Sequence, residues 1–255
     1  MSSKTSRIWF QGATDKVHMA PYIAKVEAHL KSILDPEFSA TFHTNTPPAT
    51  TTHAITEFRI ARNLIRNVVE AEKQGYDAMA ITHFQDAGLA EVKSVAEIPV
   101  LGLGETTLMH SLTLGRKLGL ITINPVFIPW HEDQVIRYGL QQRVVGVRAV
   151  PATVADFIDA FASPEGFQKL KPLWEKECRA LLAAGADVIV PAGGLPMMLF
   201  SGEFEGAPVV NGVTLIAKSA ELAIKLRKLG MAKVSRRSNF VKPPEKALKE
   251  FLEQG

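Results

Sequence analysis

The sequence predicts an α/β fold built as two pseudo-symmetric lobes, each a mainly parallel sheet flanked by helices, with a cleft between them. Two observations carry this expectation. Short β-branched runs bounded by Gly, Pro or polar loops alternate with longer amphipathic segments, the pattern of strands and crossover helices around a parallel sheet. A helix–Gly–strand–loop unit also occurs twice. Glu72-Lys73-Gln74-Gly75-Tyr76-Asp77 leads into Ala78-Met79-Ala80-Ile81, and Leu182-Ala183-Ala184-Gly185-Ala186-Asp187 leads into Val188-Ile189-Val190-Pro191, with Asp77 and Asp187 lying 110 positions apart. That spacing implies an internal duplication. It puts His83-Phe84-Gln85-Asp86 and Ala192-Gly193-Gly194 in equivalent loops at the carboxyl ends of strands, where open parallel sheets bind ligands.

In chain order, the expected strands are Arg7–Gln11, Ala40–Thr44, Asp77–Thr82, Val100–Leu103, Gly119–Ile123, Val144–Val147, Asp187–Pro191 and Val209–Asn211. All are short, as strands buried on both faces of a parallel sheet usually are. Between them the apolar spacing predicts helices over Met19–Leu34, Glu57–Gln74, Thr106–Leu118, Glu132–Tyr138, Pro164–Ala184 and Val213–Leu229. From Ile60 to Glu72 apolar residues recur three and four apart, and the run ends at Gly75, which can take a left-handed cap. No Pro-, Gly- or Ser-rich linker separates the halves. The expected division is a first lobe over 1–110, a second over 111–230, and a C-terminal tail and helix over 231–255 that packs back on the first lobe.

Composition excludes several functional classes. With 46% apolar and 22% charged residues, and 29 Lys+Arg against 26 Asp+Glu for a net charge of +3, the 255-residue chain can bury a core and is not a disordered polyelectrolyte. A single cysteine, Cys178, excludes an internal disulfide framework and any cysteine-rich zinc or iron–sulfur site. The first residues offer only Ile8-Trp9-Phe10 as an apolar run, too short for a signal-peptide core, and a cytoplasmic location is expected. No apolar run approaches the roughly 20 residues that span a bilayer, so no membrane partner is expected. Basic residues are scattered apart from Lys233 to Arg237, and a pI near 8.9 is a weak argument for nucleic acid, which is not expected as a partner.

Five stretches carry a family resemblance: Glu70-Ala71-Glu72-Lys73-Gln74-Gly75-Tyr76-Asp77-Ala78-Met79-Ala80-Ile81, Phe84-Gln85-Asp86-Ala87-Gly88-Leu89, Pro99-Val100-Leu101-Gly102-Leu103-Gly104-Glu105, Ala184-Gly185-Ala186-Asp187-Val188-Ile189-Val190 and Pro208-Val209-Val210-Asn211-Gly212-Val213. In this order and spacing the chain resembles the aspartate/glutamate racemase superfamily, in particular its hydantoin racemase branch, over most of its length. The resemblance implies two pseudo-symmetric α/β lobes with the active site between them. It also implies no metal or organic cofactor, a small carboxylate or hydantoin-like ring amide as substrate, and a homo-oligomer.

Family racemases work with two thiols, one on each side of a carbon next to a carbonyl or carboxylate. This chain departs at both places. The first thiol position matches His83, and the second matches Gly193 or its neighbours Ala192 and Gly194. Cys178 lies in a helix ahead of Asp187 and reads as a buried structural thiol. Two-thiol racemisation is therefore ruled out.

Imidazole can supply the base that an enolate-forming reaction needs near neutral pH. His83 is of the right type in the right place; the alternative is a polar loop histidine that caps a helix or bonds a backbone carbonyl. Gly193 and Gly194 could bring backbone N–H groups to an anion, or could simply make a tight turn that requires positive φ. A histidine facing glycines suggests chemistry on one face: decarboxylation, elimination, a double-bond shift or ring opening. Symmetric racemisation needs a further acid, such as water, Glu203 or Glu205.

Asp86 matches an acidic family loop position and would orient the imidazole or cap the next helix. Glu105 matches a family position at a helix start, where a carboxylate also suits the helix dipole. Thr122 matches a family hydroxyl near substrate, or is a β-branched strand end. Thr14 lies in the first loop, although the family's Asn-containing pattern there is missing. Thr44 opens a hydroxyl-rich stretch reaching His53 that would wrap a polar substrate or form a surface loop. Phe84 and Gln85 flank the histidine. Gly102-Leu103-Gly104 is not a dinucleotide fingerprint, because the third glycine of that pattern falls at Thr107.

The first reading is thus a cofactor-independent isomerase or lyase. Its catalytic candidates are His83, Asp86 and Glu105, and its substrate-binding candidates are Thr14, Thr44, Phe84, Gln85, Thr122, Ala192, Gly193 and Gly194. A second reading is a zinc hydrolase holding its metal with His83, Asp86 and His43 or His53, which no close His spacing supports. A third is a binding protein that kept the cleft after losing the thiols.

Overall fold

The computed structural model describes residues 5–13, 16–48, 51, 53–231 and 234–253. Along the chain lie β1 (Ser6–Gln11), α1 (Ala20–Ile33), β2 (Phe38–His43), α2 (Ala54–Lys73), β3 (Ala78–Ile81), α3 (Leu89–Val95), β4 (Val100–Gly102) and α4 (Leu103–Ser111). They are followed by β5 (Leu118–Thr122), α5 (Phe127–Arg137), β6 (Val144–Ala149), α6 (Val154–Ala162), α7 (Pro164–Ala183) and β7 (Val188–Pro191). The series closes with α8 (Gly194–Leu199), β8 (Gly202–Phe204), β9 (Ala207–Val209), α9 (Gly212–Lys228) and α10 (Glu245–Glu253).

Two sheets form, in the orders β2-β1-β3-β4 and β6-β5-β7-β9-β8. Every pairing is parallel except the β8–β9 hairpin at the edge of the second sheet. Setting β8 aside, each sheet places its strands second, first, third, fourth in chain order, so the repeat read in the sequence is a repeat of topology. The repeated unit also folds the same way in detail. At the end of α2, Gly75 N–H and Tyr76 N–H donate back to Glu72 O and Ala71 O; at the end of α7, Gly185 N–H and Ala186 N–H donate to Leu182 O and Leu181 O. Gly75 and Gly185 take φ of +74° and +93°, which glycine adopts without a Cβ penalty. Asp77 accepts from Arg7 N–H at 2.8 Å, and Asp187 accepts from Arg116 and Lys117 N–H at 2.9 and 2.7 Å. Each aspartate sets where the first strand of its lobe starts beside the third.

Alternation along β1 sorts the core. Ile8 and Phe10 join a large core that continues through Leu103 and Leu108 to Leu120 and Val190 of the second sheet. Trp9 points the other way, onto Ile60, Leu64 and Val68 of α2. The helix α9 returns to lie against α4, β3 and β4. Beyond it, Arg236 donates to the carbonyls of Lys93, Ser94, Ala96 and Phe240, and Leu248 of α10 packs on the Trp9 side of the first sheet.

Several boundaries differ from the sequence expectation. The helix expected over Thr106–Leu118 starts at Leu103 and stops at Ser111. The chain must leave the helix to bring the Arg116 and Lys117 amides to Asp187, and at Gly115 a Cβ would press on that carboxylate. The helix expected from Glu132 starts at Phe127, after a turn in which Asn124 Oδ1 accepts from Val126 N–H at 2.9 Å. The strand expected over Val209–Asn211 is Ala207–Val209, because Asn211 instead caps α9 by accepting from Thr214 N–H at 3.1 Å. The short elements α3, α6, α8 and β8 were not expected; α6 is marked by a Thr153–Asp156 capping box.

Candidate active site

The carboxyl ends of β1, β2 and β3 face those of β5 and β7 across a cleft of about 250 Å³. Most of its wall is apolar, from Met19, Phe42, Ile60, Phe84, Ile123 and Phe127. His83 enters at the end of β3. Its Nε2 lies 3.4 Å from Glu57 Oε1, with the two side chains 14% and 19% exposed where they meet the cleft. Glu57 stands in the first turn of α2, and its position continues the buried stripe Ile60, Leu64, Val68 and Ala71.

Burial controls the ionisation of both groups. The imidazole of His83 is pushed down to about 4 by desolvation and then by nearby His131, while desolvation pushes the Glu57 carboxyl up to about 7. At neutral pH the histidine is uncharged and the carboxyl is poised to gain or lose a proton. Nδ1 of His83 is buried without a hydrogen-bond partner. Placing the ring proton on Nε2 leaves only a lone pair unpaired at Nδ1 and directs an N–H toward Glu57. None of the described residues lining the cleft is Lys or Arg.

Of the residues singled out in the sequence, His83, Phe84, Gln85, Ala192, Gly193 and Gly194 line this cleft. Thr14 lies outside the described residues. Asp86 is brought elsewhere: it is buried and accepts from Gly104 N–H, Glu105 N–H, Gln134 Nε2 and Tyr138 Oη at 3.1, 2.6, 3.2 and 2.7 Å. Desolvation raises its ionisation to about 7 against the pull of those donors. It anchors the loop that carries His83 to the start of α4 and to α5. This also explains Gly102-Leu103-Gly104, since a Cβ on either glycine would run into the Asp86 carboxylate.

Glu105 turns away from the cleft to pair with Lys93 Nζ at 2.5 Å. Thr44 is half-buried outside the cleft wall, and Thr122 is fully buried at the end of β5 with an unpartnered Oγ1. The amide cradle expected of the glycine loop is narrower than the sequence suggested, because Ala192 N–H and Gly193 N–H donate to Ile121 O and Pro191 O. Gly193 has φ of +154°, a conformation L side chains rarely adopt. Glu203 and Glu205 are exposed on the β8 hairpin, Glu205 being paired with Arg179 at 2.7 Å, so neither supplies an acid to the cleft.

The histidines of the hydrolase reading are also apart. His43 stacks on Trp9 with ring centroids 3.4 Å apart and reaches Tyr76 Oη at 3.2 Å, and Asp86 is committed as above. Among the described residues no three His, Cys, Asp or Glu side chains are grouped as metal ligands. Cys178 is buried in the second lobe, with its thiol pushed up to about 12 by desolvation. Sequence reasoning missed Glu57, although a carboxylate heading an apolar helical stripe was a readable signal. It also missed Tyr22, which α1 sends to the cleft wall.

The family model described as Asp/Glu/Hydantoin racemase matches residues 20–220. The hydantoin racemase of Pseudomonas sp. (strain NS671) is 30% identical over 209 residues, covering 80% of this chain and 78% of that protein. The hydantoin racemase of Rhizobium meliloti is 32% identical over 161 residues, 62% of this chain and 64% of that one. In fold the chain is similar to the allantoin racemase from Klebsiella pneumoniae, with a TM-score of 0.76, 20% identity and 94% of each chain covered. The duplicated two-sheet architecture, the cleft between the sheets and these matches together place the chain in the Asp/Glu/Hydantoin racemase family, in its hydantoin racemase-like branch.

Proposed function

We propose that this chain is a cofactor-independent isomerase that removes and returns the proton on a carbon next to a carbonyl of a small, uncharged ring amide of the hydantoin type. The observation that carries the reading is the Glu57–His83 pair, 3.4 Å apart in an apolar cleft. The two groups act as one base with shared protons. The C–H electron pair moves onto the carbonyl oxygen as an enolate while the proton passes to the pair, and a carboxyl that ionises near 7 is matched to that task at neutral pH. On the register that the sequence resemblance implies, His83 takes the position of a family thiol, and Glu57 gives it the charge a neutral imidazole lacks. An uncharged substrate is favoured over a carboxylate because the cleft holds Glu57 and no described Lys or Arg to offset a second anion. The names of the relatives, hydantoin racemase, agree with a ring amide.

The test is proton NMR in D₂O with chelator-treated protein and enantiopure 5-substituted hydantoins, beside short dicarboxylates and malonates. Loss of the C5 hydrogen signal with the ring amides and none with the dicarboxylates is expected. Turnover that appears only after zinc is added, or only with the dicarboxylates, would overturn the proposal.

A further inference from the structure

We infer that the Tyr22 hydroxyl is the proton donor on the face of the substrate opposite the Glu57–His83 pair, which makes the cleft competent to invert a stereocentre without any thiol. The inference rests on the acid/base reading above and adds to it the missing second face. A base on one wall alone exchanges a proton with retention; inversion requires a protic group across the substrate.

Apart from the Glu57–His83 pair, and with Gln85 carrying only a carboxamide, too weak an acid to give up a proton, the described residues lining the cleft leave one candidate. Thr82 Oγ1 already donates to Gln11 O at 3.0 Å, and Thr51 Oγ1 pairs with Thr56 Oγ1 at 3.4 Å. The second-lobe wall, from Ile123, Phe127, Val154 and Ala192 to Leu195, has no protic side chain. Tyr22 does, and it is brought to that wall from the first lobe. It leaves α1, which packs against α6, α8 and α9, and its hydroxyl lies where a Cβ on Gly194 would stand. The Gly193–Gly194 turn is therefore bare so that a phenol can occupy the space beside it.

The ring is 5% exposed and meets Phe161 edge-on, with centroids 5.6 Å apart, so the hydroxyl is held in place by packing. His83 and Glu57 come from the end of β3 and the start of α2, on the first-lobe side of the cleft. Burial raises the ionisation of Tyr22 well above the usual phenol range, which keeps the donor protonated at neutral pH.

The proton balance closes. The Glu57–His83 pair takes a proton from carbon, and the electron pair of that bond moves onto the carbonyl oxygen. The enolate then reforms the carbonyl while its carbon takes the Tyr22 proton on the other face, leaving a phenolate. That phenolate and the protonated pair are the starting state for the opposite enantiomer, and a proton carried between them by water resets the site.

The test compares wild type, Tyr22→Phe and Gly194→Ala on each enantiomer of a 5-substituted hydantoin in D₂O, following hydrogen exchange by NMR and inversion by chiral chromatography. Wild type is expected to exchange and invert both. Tyr22→Phe should lose inversion by at least about 100-fold, the lower end of what general acid catalysis contributes. It should still exchange, with retention, the one enantiomer whose hydrogen faces Glu57 and His83. Gly194→Ala should behave alike, because its methyl displaces the hydroxyl. Inversion by Tyr22→Phe at the wild-type rate would overturn the assignment and leave the proposed function standing, as would equal loss of exchange from both enantiomers, which would mean that the hydroxyl holds substrate. No exchange by wild type on either enantiomer would overturn the acid/base reading itself, and Tyr22 with it.

Discussion

Replacing Glu57 by Gln should lower activity and raise stability together, and both effects can be sized from the structure. Gln keeps the shape of the side chain but cannot take a proton, so the Glu57–His83 pair ceases to be a base. General acid–base catalysis is worth roughly 10²–10⁴ in rate, and kcat/KM should fall by about that factor, about 3–5 kcal/mol of barrier. The wild-type kcat/KM should rise with pH through about 7 as Glu57 ionises, and that limb should vanish in the variant.

The stability effect follows from the same group. The carboxyl ionises near 7 in the fold against 4.5 in the unfolded chain, so the native state holds a proton that the unfolded state releases between those values. The stabilisation from this raised value is complete below 4.5 and is lost as pH rises through 7. Gln escapes the loss. Glu57→Gln should match wild type near pH 4 and exceed it by up to about 3 kcal/mol at pH 8, from about 1.4 kcal/mol per tenfold change in proton affinity. Exchange kinetics in D₂O and urea unfolding at both pH values measure the two arms. A variant with wild-type turnover and an intact limb near 7 would refute the reasoning for the base. A stability difference that does not grow between pH 4 and pH 8 would refute the burial argument.

Other expectations test the rest of the site. His83→Ala should lower kcat by at least about 100-fold. Because His83 ionises near 4 in the fold rather than near 6.5, its contribution to stability is present above 6.5 and lost as pH falls through 4; removing it should flatten the acid side of the unfolding profile between those values. Cys178, buried and with its thiol held near 12, should resist iodoacetamide in the native state, and activity should survive treatment. Inactivation that substrate prevents would sink this. Asp86→Asn removes a carboxylate that accepts four hydrogen bonds and should cost about 2–4 kcal/mol in urea unfolding. Gly104→Ala should also destabilise, since its methyl would strike Phe84 O and the Asp86 carboxylate. Unaltered stability in both variants would mean that the loop does not depend on this anchor.

The repeat around Asp77 and Asp187 was legible because its signals are local. Apolar periodicity marks α2 and α7, a glycine ends each helix, and an aspartate precedes each strand. From those signals followed the α/β class, the duplication, and the position of His83 and Gly193 at equivalent strand ends. The failure of Gly102-Leu103-Gly104 as a nucleotide loop was also decided by spacing. The acidic residues were a different matter. Asp86, Glu105 and Glu57 are all carboxylates near helix starts, and although Glu57 alone heads a buried helical stripe, the partner each one finds is decided in space. Asp86 finds two amides at the start of α4 and the Tyr138 hydroxyl; Glu105 finds Lys93; Glu57 finds no Lys or Arg among the described residues and remains beside His83.

What the sequence by itself determined is therefore the repeated chain path and the residues that lie at the mouths of its strands, since periodicity, caps and turns are properties of neighbours along the chain. What only the tertiary structure decided is which side chains meet there. Glu57 reaches His83 from a preceding helix, and Tyr22 reaches the Gly193–Gly194 turn from the other half of the chain. Those meetings set which groups lose water and which gain partners, and burial is what pushes the Glu57 carboxyl up to about 7 and the His83 imidazole down to about 4.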